Sequence, residues 1–516
     1  MSEATEAIVK TTAGKVEGNY RRGTYVFCGI PYAAPPVGGR RWLPPQPAEP
    51  WDGVRPVKRF ATTAPQNPPE SSILAAPQPE PQDEDCLYLN IFTPGLDDAR
   101  RPVLFWIHGG GFTSGSGSAL VYYGRNITMR GDVVLVTINY RLGALGFLKL
   151  DDVTNGRIPA TGNEGLLDQT FALEWVRDNI AAFGGDPDNV TIFGESAGGM
   201  SVGAQLAMPG SRGLFQKAIP QSGAAHTASS VDRAVRATRA LIDTLGVSAT
   251  DADALRALTT DRLMNAQREL ALKAAAPGSD IGGGLPLQPV IDGKVLPELP
   301  INAIASGSAD GVHVLVGSNL EEWKLFSVMD PSMARLTEGQ LLRRCQRLIP
   351  SGDVSGLIEA YRKARDKRGA PTTPAELLSA IQTDHTFRMP AIVLAETQMQ
   401  RGTPAYSYLF TWTSPAMDGK LGACHALELG FLFGTHEENF SGTGPEADAL
   451  SENMQDAWVA FARTGDPSCE SLGKWPAYGE RRETMLLGRE SALVEAPYEE
   501  ERRAWDAIPD ASAGTF

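Results

Sequence analysis

The stretch NVTIFGESAGGMSVGAQLAM, Asn189 to Met208, decides how the rest of the chain is read. NVTIF is an apolar run of strand length, and GGMSVGAQLAM reads as a helix. Between them Gly194-Glu195-Ser196-Ala197-Gly198 matches G-x-S-x-G. A serine on a sharp strand-to-helix turn has strained backbone angles and needs small neighbours, and its hydroxyl is left exposed at the carboxyl end of the sheet. The string occurs twice, because Gly199-Met200-Ser201-Val202-Gly203 fits as well. Ser201 falls inside the helix, where no turn is available, and reads as a small residue that permits close packing. Ser196 is the candidate nucleophile.

Outward from this point, strand-like and helix-like segments alternate. PVLFWIHGG and DVVLVTINY are apolar runs that end in polar or glycine residues. DQTFALEWVRDNIAA, Asp168 to Ala182, has helical spacing and is stopped by FGGDP. KAIPQSG, VHVLVGS and AYSYLFTW are further strands. This order implies an α/β architecture with a central, mostly parallel sheet flanked by helices. Near the start, IVKTTAGKVEG reads as a hairpin around Ala13-Gly14, and TYVFCGIPY as a strand into a turn. Pro31 to Pro81 reads as irregular surface loop, with residues 65–82 the most mobile part. From about 231 to 400 helices dominate, interrupted by a core strand near 312–318. We read residues 1–516 as a single domain and this segment as a helical insertion covering the sheet.

The 516 residues carry 61 acidic and 47 strongly basic side chains, a net charge of −14. A hydrophobic fraction of 42% supports a large core. The acidic balance argues against nucleic acid as a partner. No run reaches ~18 apolar residues, so no membrane anchor is expected; VVLVTINYRLGALGFL carries Asn139 and Arg141. The N-terminal stretch lacks a basic segment followed by an apolar one, so no secretory signal is expected. The five cysteines, Cys28, Cys86, Cys345, Cys424 and Cys469, are scattered, with neither zinc-ligand spacing nor disulfide density. A cytoplasmic protein is the expectation. Nothing in the sequence bears on oligomeric state.

A nucleophilic serine needs an anion pocket, a base and an acid. His108-Gly109-Gly110-Gly111-Phe112 follows the strand PVLFWI, and consecutive glycines can turn backbone N–H groups into a cavity. Phosphate-binding glycine spacings cannot be read there. In this architecture the acid and the histidine follow the serine in the chain. Glu321 and Glu322 come just after VHVLVGS. His108 precedes Ser196 and is assigned a structural role. His385 lies in a helical run and reads as a satisfied surface histidine. His425 follows AYSYLFTW by a loop, where a base should hang, and His436 is the runner-up.

Together these residues resemble the type-B carboxylesterase/cholinesterase family, in its bacterial para-nitrobenzyl-esterase-like branch. The resemblance runs from about Val26 to Trp475 through FCGIPYAAPPVG, EDCLYLNIFTP, WIHGGGFTSGS, NYRLGALGFL, GESAGGMSV, VGSNLEEWKLF and CHALELGFLFG. It implies an α/β-hydrolase fold with a large helical insertion over the active site. It implies Ser196 as nucleophile, Glu322 as triad acid and His425 as base. The oxyanion hole would be the N–H groups of Gly110, Gly111 and Ala197, with Glu195 and Ser222 close behind the triad. Trp323 stands where the family often has glycine. Cys86 lacks the upstream cysteine to which secreted relatives bridge it, which implies a free thiol.

The implied activity is hydrolysis of carboxylic esters through an acyl-enzyme on Ser196, with no metal and no organic cofactor. Neutral esters of small to medium size, apolar or aromatic, are the expected substrates, and Phe112 and Trp323 are candidates for the pocket wall. The same triad could act on amide, carbamate or lipid esters. A catalytically silent interaction module is a different class, and the presence of all three triad positions speaks against it.

Overall fold

The structure is a computed structural model and describes residues 7–508 apart from 69–79, 277, 280, 282 and 283. The mobility expected of residues 65–82 therefore falls largely outside the described residues.

Five short strands come first: β1 (Ile8–Lys10), β2 (Lys15–Glu17), β3 (Asn19–Arg21), β4 (Thr24–Pro31) and β5 (Val54–Pro56). β1 and β2 form the hairpin around Ala13-Gly14, with Val9 opposite Val16. The core strands are β6 (Tyr88–Thr93), β7 (Arg101–Ile107), β8 (Val134–Ile138), β9 (Gly185–Glu195) and β10 (Lys217–Gln221). They continue with β11 (His313–Asn319), β12 (Ala405–Phe410), β13 (Glu483–Leu487) and β14 (Ala492–Glu495). An 11-stranded sheet runs β14-β13-β12-β11-β10-β9-β7-β8-β6-β4-β3. Its middle, from β13 to β8, is parallel, and antiparallel strands close both ends.

The central strands carry near-continuous apolar runs, such as VLFWI in β7 and VLVTI in β8, because both faces are covered. Val103, Phe105 and Ile107 of β7 point into one core, while Leu104 and Trp106 between them point into the other. The register aligns the carboxyl ends of neighbouring strands. Ile107 pairs with Gly194, Gln221 with Glu195, and Gln221 with Gly317. One edge of the sheet thus presents the loops after β7, β9, β10 and β11 side by side, the place where α/β sheets build sites.

The helix expected from Asp168 starts earlier and spans Glu164–Asn179. Gly165 hides the start because it reads as a helix breaker. Its reason is packing: a Cβ there would lie 2.5 Å from the Phe147 ring. Arg141, in the run that is too polar for a membrane span, is buried, and its guanidinium donates to both Asp168 oxygens at 2.7 and 2.8 Å. The described residues of 31–81 are less superficial than expected. Trp42 is fully buried and donates from Nε1 to the Ala144 carbonyl at 2.8 Å.

Residues 231–400 hold the helices Val231–Leu245, Thr260–Ala275, Glu338–Leu348, Val354–Lys367, Pro374–Thr383 and Met389–Gln400, with β11 between the second and third. Three of them, with Trp505, enclose a separate apolar cluster that includes Leu341, Leu357, Leu377 and Ile381. Among the described residues no helix is long and apolar enough to cross a membrane.

Candidate active site

Ser196 stands between β9 and the helix Ala197–Ala207 with φ 57° and ψ −125°. Such a backbone costs a non-glycine residue about 1–3 kcal/mol and persists only where the surroundings hold it. Here they do: its N–H donates to the Gln221 carbonyl at 3.0 Å. A Cβ on Gly194 would lie 2.6 Å from the Ile107 carbonyl oxygen, and one on Gly198 would collide with the same atom. Both glycines of the pentapeptide are therefore needed for the turn to sit against β7. Ser201 is fully buried inside the helix and accepts a hydrogen bond from Gln169 at 3.1 Å, as a packing residue would.

Glu322 and His425 meet at the same edge. The imidazole Nδ1 is 2.7 Å from Glu322 Oε2, and both side chains are buried. The Asn319 N–H donates to the other Glu322 oxygen at 2.7 Å, which fixes the carboxylate. Glu321 is engaged elsewhere: it pairs with Lys324 at 2.7 Å and accepts from the Ala423 N–H at 3.1 Å. His436 bonds Asp448 at 2.9 Å and stacks on Phe431, away from this edge.

His425 Nε2 lies 3.1 Å from Glu195 Oε1, the residue before the nucleophile. The approach is off-line, so Glu195 Oε1 has no hydrogen-bond partner among the described residues. No hydrogen bond joins Ser196 Oγ to the imidazole in this structure. Such contacts commonly tighten only when substrate is bound. Burial would push the His425 imidazole down, but the Glu195 and Glu322 carboxylates outweigh it and hold the group above the ordinary histidine range. Burial dominates at Glu195 and raises its carboxyl, which the facing imidazole only partly offsets. Glu428, behind Glu322, is also raised by burial, and is held by Asn319 Nδ2 at 2.7 Å and Gln221 Nε2 at 3.2 Å.

The glycine loop lies against the nucleophile turn: a Cβ on Gly109 would come within 3.1 Å of Ser196 Cβ. Gly110 and Gly111 have φ of 107° and 60°, angles open to glycine. Among the described residues nothing accepts from the N–H groups of Gly110, Gly111 or Ala197. His108 braces the loop. It stacks on Tyr140 at 4.5 Å, its carbonyl accepts from the Tyr140 hydroxyl at 2.8 Å, and burial lowers its pKa to about 4.

A strained serine, a buried carboxylate–imidazole pair and unpaired N–H donors at one sheet edge are the kinds of group that acyl transfer uses. The sequence profile of the carboxylesterase family matches residues 5–505. The chain belongs to the carboxylesterase family. It is a carboxylic-ester hydrolase with the α/β-hydrolase fold. Para-nitrobenzyl esterase of Bacillus subtilis (strain 168) is 39% identical to it over 510 residues, covering 97% of this chain and 98% of that protein. Phenmedipham hydrolase of Pseudarthrobacter oxydans is 35% identical over 506 residues, with 95% and 97% covered. The crystal structure of a Geobacillus stearothermophilus carboxylesterase superposes with a TM-score of 0.85 at 39% identity, covering 97% of this chain and 100% of that one.

The other predicted site residues of this carboxylesterase are divided between the site and the core. Ser222 has φ 45°, and its buried hydroxyl has no hydrogen-bond partner among the described residues. Phe112 is wholly buried with its ring against Phe147, so its side chain belongs to the core. Trp323 is half-buried and packs on Phe326 and Phe387, whose rings both touch His425. His385 corrects the surface reading: it is 6% exposed, its Nδ1 has no partner among the described residues, and burial lowers its pKa to about 4. The helical period fails there because the chain makes a π-turn from Asp384 to Arg388. Leu285 was not anticipated. Its Cδ2 lies 3.3 Å from where a Cβ on Gly111 would be, beside the glycine loop. The segment GLPLQ looks like a linker, and only its apolar leucines hinted at a wall. Among the described residues no His, Cys, Asp and Glu group could hold a metal ion.

Proposed function

We propose that this carboxylesterase cleaves neutral, small to medium esters through an acyl-enzyme on Ser196, with His425 as base and Glu322 as its acid. The observation that carries the reading is the 2.7 Å contact between His425 Nδ1 and Glu322, which leaves Nε2 turned toward the end of β9 where Ser196 stands. Ser196 Oγ attacks the ester carbonyl and its proton passes to Nε2. Glu322 accepts from Nδ1–H, fixes the tautomer and stabilises the imidazolium. The carbonyl oxygen, now an anion, takes hydrogen bonds from the Gly110, Gly111 and Ala197 N–H groups, each of which is worth about 2.7–4 kcal/mol of barrier. The tetrahedral intermediate collapses, and the alcohol leaves with the proton from Nε2. Water then repeats the sequence on the acyl-enzyme.

Leu285 beside the glycine loop and the Trp323, Phe326 and Phe387 rings around His425 support an apolar or aromatic substrate. Similarity to para-nitrobenzyl esterase supports an aromatic alcohol part. The five thiols stand free, four of them buried, which supports a cytoplasmic location. The test is a panel of aryl and benzyl esters with matching amides, assayed on wild type and Ser196→Ala. Ester turnover well above amide turnover, lost in the variant, is the expected result. Full ester turnover by Ser196→Ala would overturn the assignment.

A further inference from the structure

The two nitrogens of His425 face carboxylates, and its ring touches two phenyl groups. The Phe387 centroid is 4.8 Å from the imidazole centroid with the planes 34° apart, and the Phe326 centroid is 5.2 Å away at 45°. Trp323 packs on both, at 6.4 Å and 4.9 Å. These rings reach His425 from different parts of the chain. Trp323 and Phe326 follow Glu322, while Phe387 lies in the π-turn Asp384–Arg388. The extra residue of a π-turn rotates the side chains that follow it, and such turns concentrate at functional sites. The two segments are tied by a hydrogen bond from the Trp323 N–H to Thr383 Oγ1 at 3.0 Å. Phe387 is buried, so its contact with the imidazole is desolvated.

We infer that Phe326 and Phe387, braced by Trp323, are positioning residues that hold the His425 ring in line and stabilise its imidazolium form through their π-faces. The inference rests on the reading of His425 as the base. A cation within about 6 Å of an aromatic face is attracted by the ring quadrupole, more strongly when water is excluded. The interaction exists only while the imidazole is charged, which is the state it passes through between attack and departure of the alcohol. It therefore favours the transition state over the resting enzyme with a neutral imidazole, and raises the pH at which that neutral form is lost.

Other charged groups near the imidazole act alongside the rings. Glu195 faces it from the end of β9, Glu322 from the loop after β11, and Glu428 from the helix Glu428–Phe433. On the clamp's own segments Lys324 is paired with Glu321 and Arg388 with Asp384. Leucine at either phenylalanine removes the π-face, keeps apolar bulk and leaves all these charges in place.

The experiment follows kcat/KM for a small aryl ester from pH 5 to 9 in wild type, Phe387→Leu, Phe326→Leu and Phe326→Tyr, with thermal melting as a check of folding. The acid limb should move to lower pH by about 0.4–1.5 units in each leucine variant. It should stay in place in Phe326→Tyr, which keeps the ring. A loss of packing alone would lower kcat without moving the limb. If Phe387→Leu does not fold, half-buried Phe326 decides the matter. Folded leucine variants whose limb coincides with wild type would overturn the inference. Failure of the underlying reading looks different: wild-type protein that neither hydrolyses the ester nor is modified at Ser196 by a fluorophosphonate.

Discussion

Glu322 and Glu321 are adjacent and chemically identical, yet their surroundings give them different work. Glu322 is buried between the Asn319 N–H and His425 Nδ1, and Glu321 is tied to Lys324. Glu322→Gln should lower kcat by roughly 10⁴-fold, because an amide cannot hold the imidazole in the productive tautomer. Glu321→Gln should change it by less than about tenfold, since Glu321 pairs at a partly exposed position. Steady-state kinetics on the two variants check this, and equal losses would contradict the assignment. The sign of the pH dependence follows from the raised imidazole. The base works only when neutral, so activity falls as the pH drops through a value above the ordinary histidine pKa of about 6.5. A kcat/KM profile with its acid midpoint at or below that value would show that the carboxylates do not hold the proton as described. At this scale the sequence was partly legible. The strand-to-helix string and the position after β12 singled out Ser196 and His425. Spacing alone leaves Glu321 and Glu322 open; the family resemblance points to Glu322, and its physical reason, the Asn319 N–H that fixes its carboxylate, is presented only by the folded chain.

The turn between β9 and its helix is the element on which the site is built. Alanine at Gly198 would drive a methyl group into the Ile107 carbonyl, displacing the turn. An offset near 1 Å at the reacting atoms costs about 100-fold, so kcat/KM of Gly198→Ala should fall at least that far. Wild-type kinetics in a folded variant would contradict the packing argument. The segment after residue 283 is the second informative element. Leu285→Ala opens space beside the glycine loop, and the ratio of kcat/KM for a butyrate over an acetate ester should rise about tenfold or more. An unchanged ratio would remove Leu285 from the pocket wall. Legibility differed between elements for identifiable reasons. β7, β8 and the end of β9 contain near-continuous apolar runs that a doubly covered sheet explains, whereas ETMLL of β13 is too short and mixed to stand out. Gly165 concealed the start of a helix because its absent side chain serves a neighbouring ring. The π-turn at Asp384–Arg388 breaks the 3.6-residue period, so His385 appeared to face solvent and is buried instead.

Across the whole molecule, the sheet carries the site at one edge and buries several histidines that take no part in it. His108, His226 and His385 are held neutral by burial, with pKa values lowered to about 4, 3 and 4. Unfolded histidine titrates near 6.5, so below that pH the unfolded chain binds more protons at these positions and folding loses free energy as the pH falls. His226 is the clearest case, because both its ring nitrogens lack partners among the described residues. His226→Leu should therefore gain on wild type by up to about 1.4 kcal/mol per pH unit below 6.5. Denaturant unfolding at pH 7.5 and 5.5 measures it, and a stability difference independent of pH would contradict the burial argument. The general plan of alternating strands and helices is legible in the sequence. At the ends of the sheet β4 is legible as the strand TYVFCGIPY, whereas β3 and β14 are only three and four residues long, too short for a pattern in their own sequence to mark them.

The most direct measurement is peptide mass spectrometry of the protein after reaction with a fluorophosphonate, which phosphonylates an activated serine and stops there. Two serines lie in G-x-S-x-G strings, five residues apart. The structure strains one at a turn and buries the other in a helix. The account predicts a single adduct on Ser196, formed far more slowly in His425→Ala. Modification at Ser201, or none on a folded wild-type protein, would contradict it.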